Sequence, residues 1–539
     1  MSEPAQQGDP SFNQLHQNPE EKSQIPNDQT HSRTSSEAPW SVFSKKETVL
    51  IVLLGSLAAF LSPLTANIYY PAINDLSHDL HVSYSLINLT ITVYLIFMGL
   101  APTVVGSISD VAGRRPAYLI CFTIYIASNI GLSLQNSYAA LMVLRCLQSS
   151  GSSGTVALGS AMVADIATSS QRGSYIGYAS VGALVGPAVG PIIGGLLNQF
   201  LGWRAIFWFL VMLSAIISLI FVIVLPETCR AVVGNGSIPP QHWNMSLLTY
   251  LKQREQRNKG EVPAPLLPLA RKPINLFGTL DIIFSKISGC VLLYAGLLFG
   301  GFYTVAASIP ADFLTVYHFN PVQIGLCYIP FGFGSMTAAI VTGKLLDLNF
   351  ARHTRLLGIP ITKNRQSSIR AYPIELARLE VASPLIISSC LLMPAYSWVI
   401  HARSNLAGPL ILLYPLGFSM TGAFMALSTL VTDLNIERPG TATAAGNWVR
   451  CWIGAGSVAI IAPLLEKIGT GWVGVLVVGI WVAFSPLLWV VVKGGPGWRE
   501  DKVIRDEERD VGVGKDKGRD VEAAGRMLSR SENEEVGKS

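Results

Sequence analysis

The chain has 539 residues, of which 50% are apolar and 14% charged, against roughly 25% charged in an ordinary soluble domain. The apolar residues gather into runs of about twenty without a carboxylate, the length that crosses a bilayer core, so a soluble enzyme is disfavoured and a polytopic membrane protein is expected. The net charge of +5 does not point to nucleic acid, because the basic residues lie between apolar runs rather than in one patch with aromatics.

Twelve apolar runs follow in chain order: Thr48 to Tyr69, Leu86 to Val105, Ala117 to Leu134, Ala139 to Val163, Gly177 to Leu197 and Trp203 to Leu225, then, after a polar interval, Ile287 to Ile309, Ile324 to Leu345, Val381 to Ile400, Ala407 to Leu430, Thr443 to Leu464 and Trp472 to Val492. The expected fold is all-α, with twelve transmembrane helices in two pseudo-symmetric six-helix bundles. The expected organisation is a disordered tail over 1–45, a first bundle over 46–228, a polar linker over 229–286, a second bundle over 287–493 and a disordered, charge-alternating tail over 494–539. Within the linker, Met245 to Arg257 reads as a short surface helix. No cleavable signal peptide is expected at the start, so the first span would serve as the targeting signal.

Of the 39 Lys and Arg, 34 fall in, or at the span ends beside, the segments that are inside when both termini are cytoplasmic, Arg204, Arg403 and Lys467 fall in or beside the outer loops, and Arg145 and Arg450 lie within spans. A seven-helix receptor would need five runs buried elsewhere and termini on opposite sides. Six of the seven cysteines lie in the runs (Cys121, Cys146, Cys290, Cys327, Cys390, Cys451), as small packing residues rather than a disulfide or zinc framework. No metal and no cofactor is expected.

The halves echo each other, as in transporters built from repeats. Gly106-Ser-Ile-Ser-Asp110 closes span 2 and Gly343-Lys-Leu-Leu-Asp347 closes span 8, while Asp165 ends span 4 and Asp433 ends span 10. The loop Gly106 to Pro116 sets Asp110, Gly113, Arg114 and Arg115 at the inner face, near Asp165 and near Glu227 and Arg230 in Pro226 to Arg230. These charges read either as an ordinary positive-inside loop or as an inner-face gate whose ion pairs break when bundles move. In span 4, Arg145 and Gln148 stand one helical turn apart on one face. Arg145 either faces an interior cavity or snorkels to the headgroups. In span 5, Gly182, Gly186, Gly190 and Gly194 recur every four residues as a stripe for close helix packing, with Gly195 beside it and Pro187 and Pro191 weakening the backbone ladder.

The loop from Gly106 to Pro116 resembles the signature loop of the major facilitator superfamily, departing at Val111, where the pattern has a basic residue. Leu144 to Gly154 resembles that superfamily's second motif, which implies a tie between Arg145 and proton coupling. The Gly-Pro-x-x-Gly pattern in span 5 resembles the motif of its antiporters. Leu61 to Ile73 and Thr432 to Gly456 are similar to twelve-span fungal drug:proton antiporters, closest to the quinidine-resistance type that includes polyamine, amino-acid and dityrosine exporters. The resemblance spans both bundles, roughly Thr48 to Val492, and leaves out tails and long loops.

The membrane interior contains Arg145 and Arg450 but no Asp or Glu away from a span end. The central cavity is therefore expected to be built from these two with Asn67, Tyr69, Tyr70, Tyr94, Gln148, Tyr303, Tyr328, Tyr414 and Asn447, a set that suits amphipathic organic molecules. Arg450, about 12 Å along its helix from Ala442, either matches Arg145 or pairs with Asp433. The resemblance implies export of a small molecule in exchange for protons. A dedicated metabolite exporter and a transporter-like sensor are the alternatives, and no nucleophile and base, metal cluster or phosphate loop supports an enzyme. The expected partners are the substrate, protons and the lipid bilayer, the expected state is a monomer, and the expected location is the plasma membrane, with the vacuolar membrane as alternative.

The basic-residue bias makes a first prediction. Tags at residue 1 and residue 539 will be shielded from an impermeant label in intact cells and react after permeabilisation; labelling of either from outside would reverse the orientation.

Overall fold

A computed structural model describes residues 41–167, 169–258, 277–356, 373–435, 438–495 and 497–499. Twelve long helices carry them: α1 Lys45–Ile68, α2 Tyr84–Ala112, α3 Arg114–Leu134, α4 Tyr138–Ile166, α5 Ser169–Leu201, α6 Arg204–Val224, α7 Lys286–Tyr317, α8 Pro321–Leu356, α9 Ile374–His401, α10 Ala407–Leu434, and α11 and α12 as 439–468 and 470–495. The chain is a multi-pass membrane protein without β-strands among the described residues. Ten helical segments are long and apolar enough to span by themselves. The count reaches twelve because the last of these holds two helices parted at Gly469 (φ 76°), and because α4, 29 residues long, has its apolar character diluted by Arg145, Gln148 and a run of Ser and Gly.

Local chemistry sets the ends. Ser44 and Glu47 form a reciprocal capping box on α1, with Glu47 N donating to Ser44 Oγ at 3.3 Å and Ser44 N to Glu47 Oε2 at 3.0 Å. Gly113 alone separates α2 from α3 at φ 110°, a conformation that disfavours any side chain. Several helices outrun their apolar cores. α9 starts at Ile374 rather than Val381, drawing Glu375, Arg378 and Glu380 into the helix, and α7 runs to Tyr317 rather than Ile309, taking in Asp312. The surface helix in the linker is present as Leu247–Asn258, with Leu247, Leu248 and Leu251 exposed. At the start of that interval, Arg230–Val233 is helical and buries Val232 and Val233 beside Cys229. Residues 259–276 and the tails 1–40 and 500–539, including the segments expected to be disordered, lie outside the described residues.

The glycine stripe of α5 packs on α1. A Cβ at Gly182 or Gly194 would strike the carbonyl oxygens of Ser56 and Ile68, one at Gly186 would come within 2.8 Å of Leu64 N, and one at Gly190 within 3.1 Å of the Asn67 Cβ. Despite Pro187 and Pro191, α5 is a single helix. Another face of α5 meets α8 across the halves: Gly195 touches Pro321, Gly325 touches Pro191, and a Cβ at Gly332 would lie 2.7 Å from Ala188 Cα. The second contact across the halves is α2 on α11, where Asn447 Nδ2 donates to Met98 O at 3.0 Å and Trp448 Nε1 to Thr103 Oγ1 at 2.9 Å.

These contacts are confined to the middle and to one end of the molecule. At that end Tyr84 Oη donates to Ala307 O at 3.0 Å and Tyr70 stacks on Tyr328 at 5.8 Å. Toward the opposite end, which carries the Gly106 to Pro116 loop, a Cβ at Gly106 on α2, Gly177 on α5, Gly343 on α8 or Gly440 on α11 would meet nothing within 4 Å. The four helices of the seam thus separate at the motif end, where a cleft of about 250 Å³ lies along α10 between Phe424 and Asp433.

Gly182→Ala should therefore destabilise the protein by about 1–3 kcal/mol, because backbone cannot retreat from the added methyl. Gly440→Ala should not. Apparent unfolding temperatures of the two purified variants in detergent test the difference.

Candidate functional site

Two constellations arise from this framework. At the motif end, Arg114 opens α3 directly beside the ends of α2 and α4. Its Nε donates to Asp165 Oδ2 at 2.8 Å, and its Nη1 to Asp110 Oδ1 and Ser109 Oγ, both at 2.6 Å. Glu227, buried after α6, accepts four backbone N–H groups, from Arg114 and Thr228 at 2.8 and 2.9 Å, Cys229 at 2.8 Å and Arg115 at 3.2 Å. Gly113 permits this approach, since a Cβ there would strike the Glu227 carboxylate. Arg115 Nη2 donates to Val222 O at 3.1 Å and Arg230 Nε to Asp165 O at 2.8 Å, tying α6 and the following loop to the same knot. Burial holds the Cys229 thiol above its usual range, as befits a packing residue.

Every member of this cluster belongs to the first half. The cluster is intact although the halves are apart at this end, so it braces one bundle rather than joining two. The second half repeats the pair on equivalent helices: Arg378 on α9 donates through Nε to Asp433 Oδ2 on α10 at 2.9 Å and through Nη1 to Leu346 O at 3.1 Å. The expectation for Asp347 is corrected. Its side chain is exposed, because it lies on the solvent side of the last turns of α8, and the backbone carbonyl of its neighbour Leu346 takes the guanidinium instead. A Cβ at Gly106 would meet nothing within 4 Å, and its part in the knot is through the backbone, its carbonyl accepting from Ser109 Oγ at 2.7 Å.

The second constellation is central. Arg145 is 0% exposed, with its guanidinium carbon 4.3 Å from the ring centroids of both Tyr69 and Tyr94. Snorkelling is thereby excluded. Arg145 Nη1 donates to Gln148 Oε1 at 2.6 Å, and Gln148 Nε2 to Asn129 Oδ1 at 2.7 Å. The tyrosines are fixed in turn, Tyr69 Oη 2.9 Å from Thr90 Oγ1 and Tyr94 Oη 3.0 Å from Ser152 Oγ. Arg450 sits on α11 with its guanidinium carbon 4.9 Å from the Phe299 ring and 5.7 Å from that of Phe424, and its Nη2 donates to Asn447 Oδ1 at 2.6 Å. The alternative pairing of Arg450 with Asp433 is excluded, since Asp433 is held by Arg378.

Tyr328 donates to Ala306 O, and Tyr303 packs edge-on against Phe299 at 5.1 Å, so both join the interior. Asn67 lies at the α1–α5 contact, donating to Pro63 O at 2.8 Å, which makes it a packing residue. Tyr414 is apart from these buried groups: it is 38% exposed between α8 and α10, against Thr337 and Phe333. Nor is the interior free of carboxylates. Asp312 is buried near the far end of α7, accepting from Thr470 Oγ1 at 2.8 Å, because α7 continues two turns beyond its apolar run. Sequence reasoning also missed Arg378, Asn129, Phe299 and Phe424. The echo of Asp165 in Asp433 would have led to Arg378 had span 9 been extended, whereas the two phenylalanines carry no signal inside apolar runs.

Buried polar groups about Arg145 and Arg450 within paired helical halves fit a membrane transporter. Residues 55–459 match the Major Facilitator Superfamily, and the chain belongs to that family. It is 42% identical to the MFS-type transporter phiD of a Fungal sp. over 88% of this chain and 72% of the relative. It is 34% identical to Citrate exporter 1 of Aspergillus niger over 88% of this chain and 91% of the relative. Among solved structures, a D-xylose-proton symporter shares the fold with a TM-score of 0.58 at 15% identity, covering 83% of this chain and 98% of that one.

Glu227→Gln should destabilise the first bundle by about 1.5–3 kcal/mol, the scale of hydrogen bonds to a charged group. Asp347→Asn, on an exposed residue, should change stability by less than about 0.5 kcal/mol. Thermal unfolding of the two variants reads the contrast.

Proposed function

We propose that this transporter is a drug:proton antiporter of the quinidine-resistance type, expelling small amphipathic organic compounds across the plasma membrane by alternating access. In this reading both termini are cytoplasmic, the protein acts as a monomer, and the bundles 46–228 and 287–493 rock about the central track. The observation that carries it is Arg145, a guanidinium sealed in the bilayer interior between two tyrosines and fixed by an amide. Such a group costs several kcal/mol to hold there, which stability alone does not repay. Arginine stays protonated and cannot carry the exchanged proton itself; it acts on the proton affinity of its neighbours or binds an anionic portion of the substrate. Tyr69, Tyr94, Asp165 and Asp433 are the candidate carriers. In the same reading the stripe Gly182 to Gly194 is the antiporter motif, and the Arg114 and Arg378 ion pairs, each within one bundle, brace the helix ends that form the inner-face gate.

The alternative, a dedicated exporter of an endogenous metabolite with the same mechanism, is supported by the relative named as a citrate exporter. Export in either form distinguishes this chain from a proton-driven importer.

Arg145→Lys keeps the charge but loses the planar fork, and should retain little transport; Arg145→Ala should retain less, with both variants reaching the membrane. Accumulation of fluorescent drugs in energised inside-out vesicles, with the gradient intact and collapsed, measures this. If Arg145→Ala transports with an undiminished response to the gradient, proton coupling does not pass through Arg145. Asp110→Asn should reduce turnover more than surface expression in the same vesicles.

A further inference from the structure

At the motif end two guanidinium groups meet carboxylates, Arg114 with Asp165 and Asp110 and Arg378 with Asp433, while Arg115 donates to the Val222 carbonyl and keeps its Nε buried without a partner. The two central arginines differ from Arg114 and Arg378. None of the ion pairs among the described residues includes Arg145 or Arg450, and each is held by one amide oxygen three residues away. The remaining donors are left over. Arg145 Nε and Nη2 and Arg450 Nε are buried with no hydrogen-bond partner. In Arg145 the two unpartnered nitrogens share one edge of the guanidinium plane, the edge a carboxylate bridges with two parallel hydrogen bonds. A buried donor without a partner costs about 1–3 kcal/mol, and more when charged, so two such donors on one edge describe an unfilled anion position.

An approach to Arg450 is also present. The cleft at the motif end is lined by Phe424, Met425, Ser428 and Thr429, and Arg450 lies over the ring of Phe424. A molecule entering there meets apolar and hydroxyl side chains first and a guanidinium next. A polyamine or other cation would meet two positive charges, and the one carboxylate among the described residues that line the cleft, Asp433, is engaged by Arg378.

We infer that the substrate is an organic anion, a carboxylate on an apolar body, met by Arg450 behind Phe424 of the cleft and gripped by the free Nε–Nη2 edge of Arg145 once rocking of the bundles opens that sealed position. This rests on the export reading above and names the substrate class of the same site. Arg450 and Arg145 stand in opposite halves, so a carboxylate passed between them links binding to the rocking of the bundles.

The test uses the purified full-length protein in detergent with 2-naphthoate, its methyl ester and 2-naphthylmethylammonium as probes, read by the rise in unfolding temperature with concentration. Naphthoate should stabilise the protein, and the ester and the amine should not. Arg450→Gln and Arg145→Gln should each weaken the naphthoate effect at least about tenfold, the scale of a lost charged hydrogen bond, and the corresponding Arg→Lys variants should recover part of it. Should Arg145→Gln fail to fold, the partly exposed Arg450 decides alone. Stabilisation by the amine or by none of the three, or an unchanged naphthoate response in Arg450→Gln, overturns the inference. Energised vesicles separate the two readings: naphthoate transport that ignores a collapsed gradient removes proton coupling and leaves the anion site standing. Gradient-driven export of cationic rhodamine 6G, undiminished in Arg450→Gln, removes the anion site and leaves the exporter.

Discussion

Helices in a bilayer gain little from hiding apolar surface, since lipid is as apolar as leucine, and they associate by close packing and by satisfying polar groups. The approach of α5 to α1 is the contact on which the rest of this molecule depends. Four glycines at fourfold spacing let α5 lie so close to α1 that Ser56, Leu64 and Ile68 present bare backbone to it. With that face committed, Pro191 and Gly195 are presented to α8, where Gly325 and Pro321 receive them. One helix therefore fixes both the inside of the first bundle and its seam with the second. The seam closes where small residues face each other and opens where they do not, which sets the end at which the cleft lies.

Charge is distributed in keeping with this frame. Where helix ends meet at the motif face, arginine finds carboxylate: Arg114 with Asp165 in one half and Arg378 with Asp433 in the other, on helices related by the repeat. Glu227 adds a hub of four backbone donors around the single glycine that parts α2 from α3. These are bracing contacts within a bundle, which allow each to move as a body. The central arginines follow a different pattern. Arg145 is on α4 and Arg450 on α11, whereas the repeat partner of α4 is α10, so the two are not copies of one inherited position. Each is oriented by an amide one turn away and flanked by two aromatic rings, a common solution reached from non-equivalent helices.

Much of this was legible before any coordinate. Apolar runs of bilayer length located the twelve helices, because span length and exclusion of charge are imposed by the lipid itself. The loop of Gly106 to Pro116 and the echo of Asp165 in Asp433 located the ion pairs, because a carboxylate at the end of an apolar run has few places to go. The ends of α7 and α9 were not legible. Once inside a bundle, a helix extends past its lipid-facing segment by packing on its neighbours, and the polar residues it then includes, Asp312 and Arg378, look like loop residues in a hydropathy profile.

By itself the sequence determined the class of protein, the number and order of the spans and the presence of two charges in the interior. Only the tertiary structure decided which polar residues share a site. Tyr69 and Tyr94 reach Arg145 from two other helices, while Tyr414, equally aromatic and equally within a span, stays 38% exposed against α8. The reason is rotational: an apolar run specifies that a helix crosses the membrane, but in a helix apolar on all sides nothing in the pattern marks which face turns inward. That choice is made by the close contacts of α5 with α1 and α8 and of α2 with α11, and with it the choice of which guanidinium donors are left free.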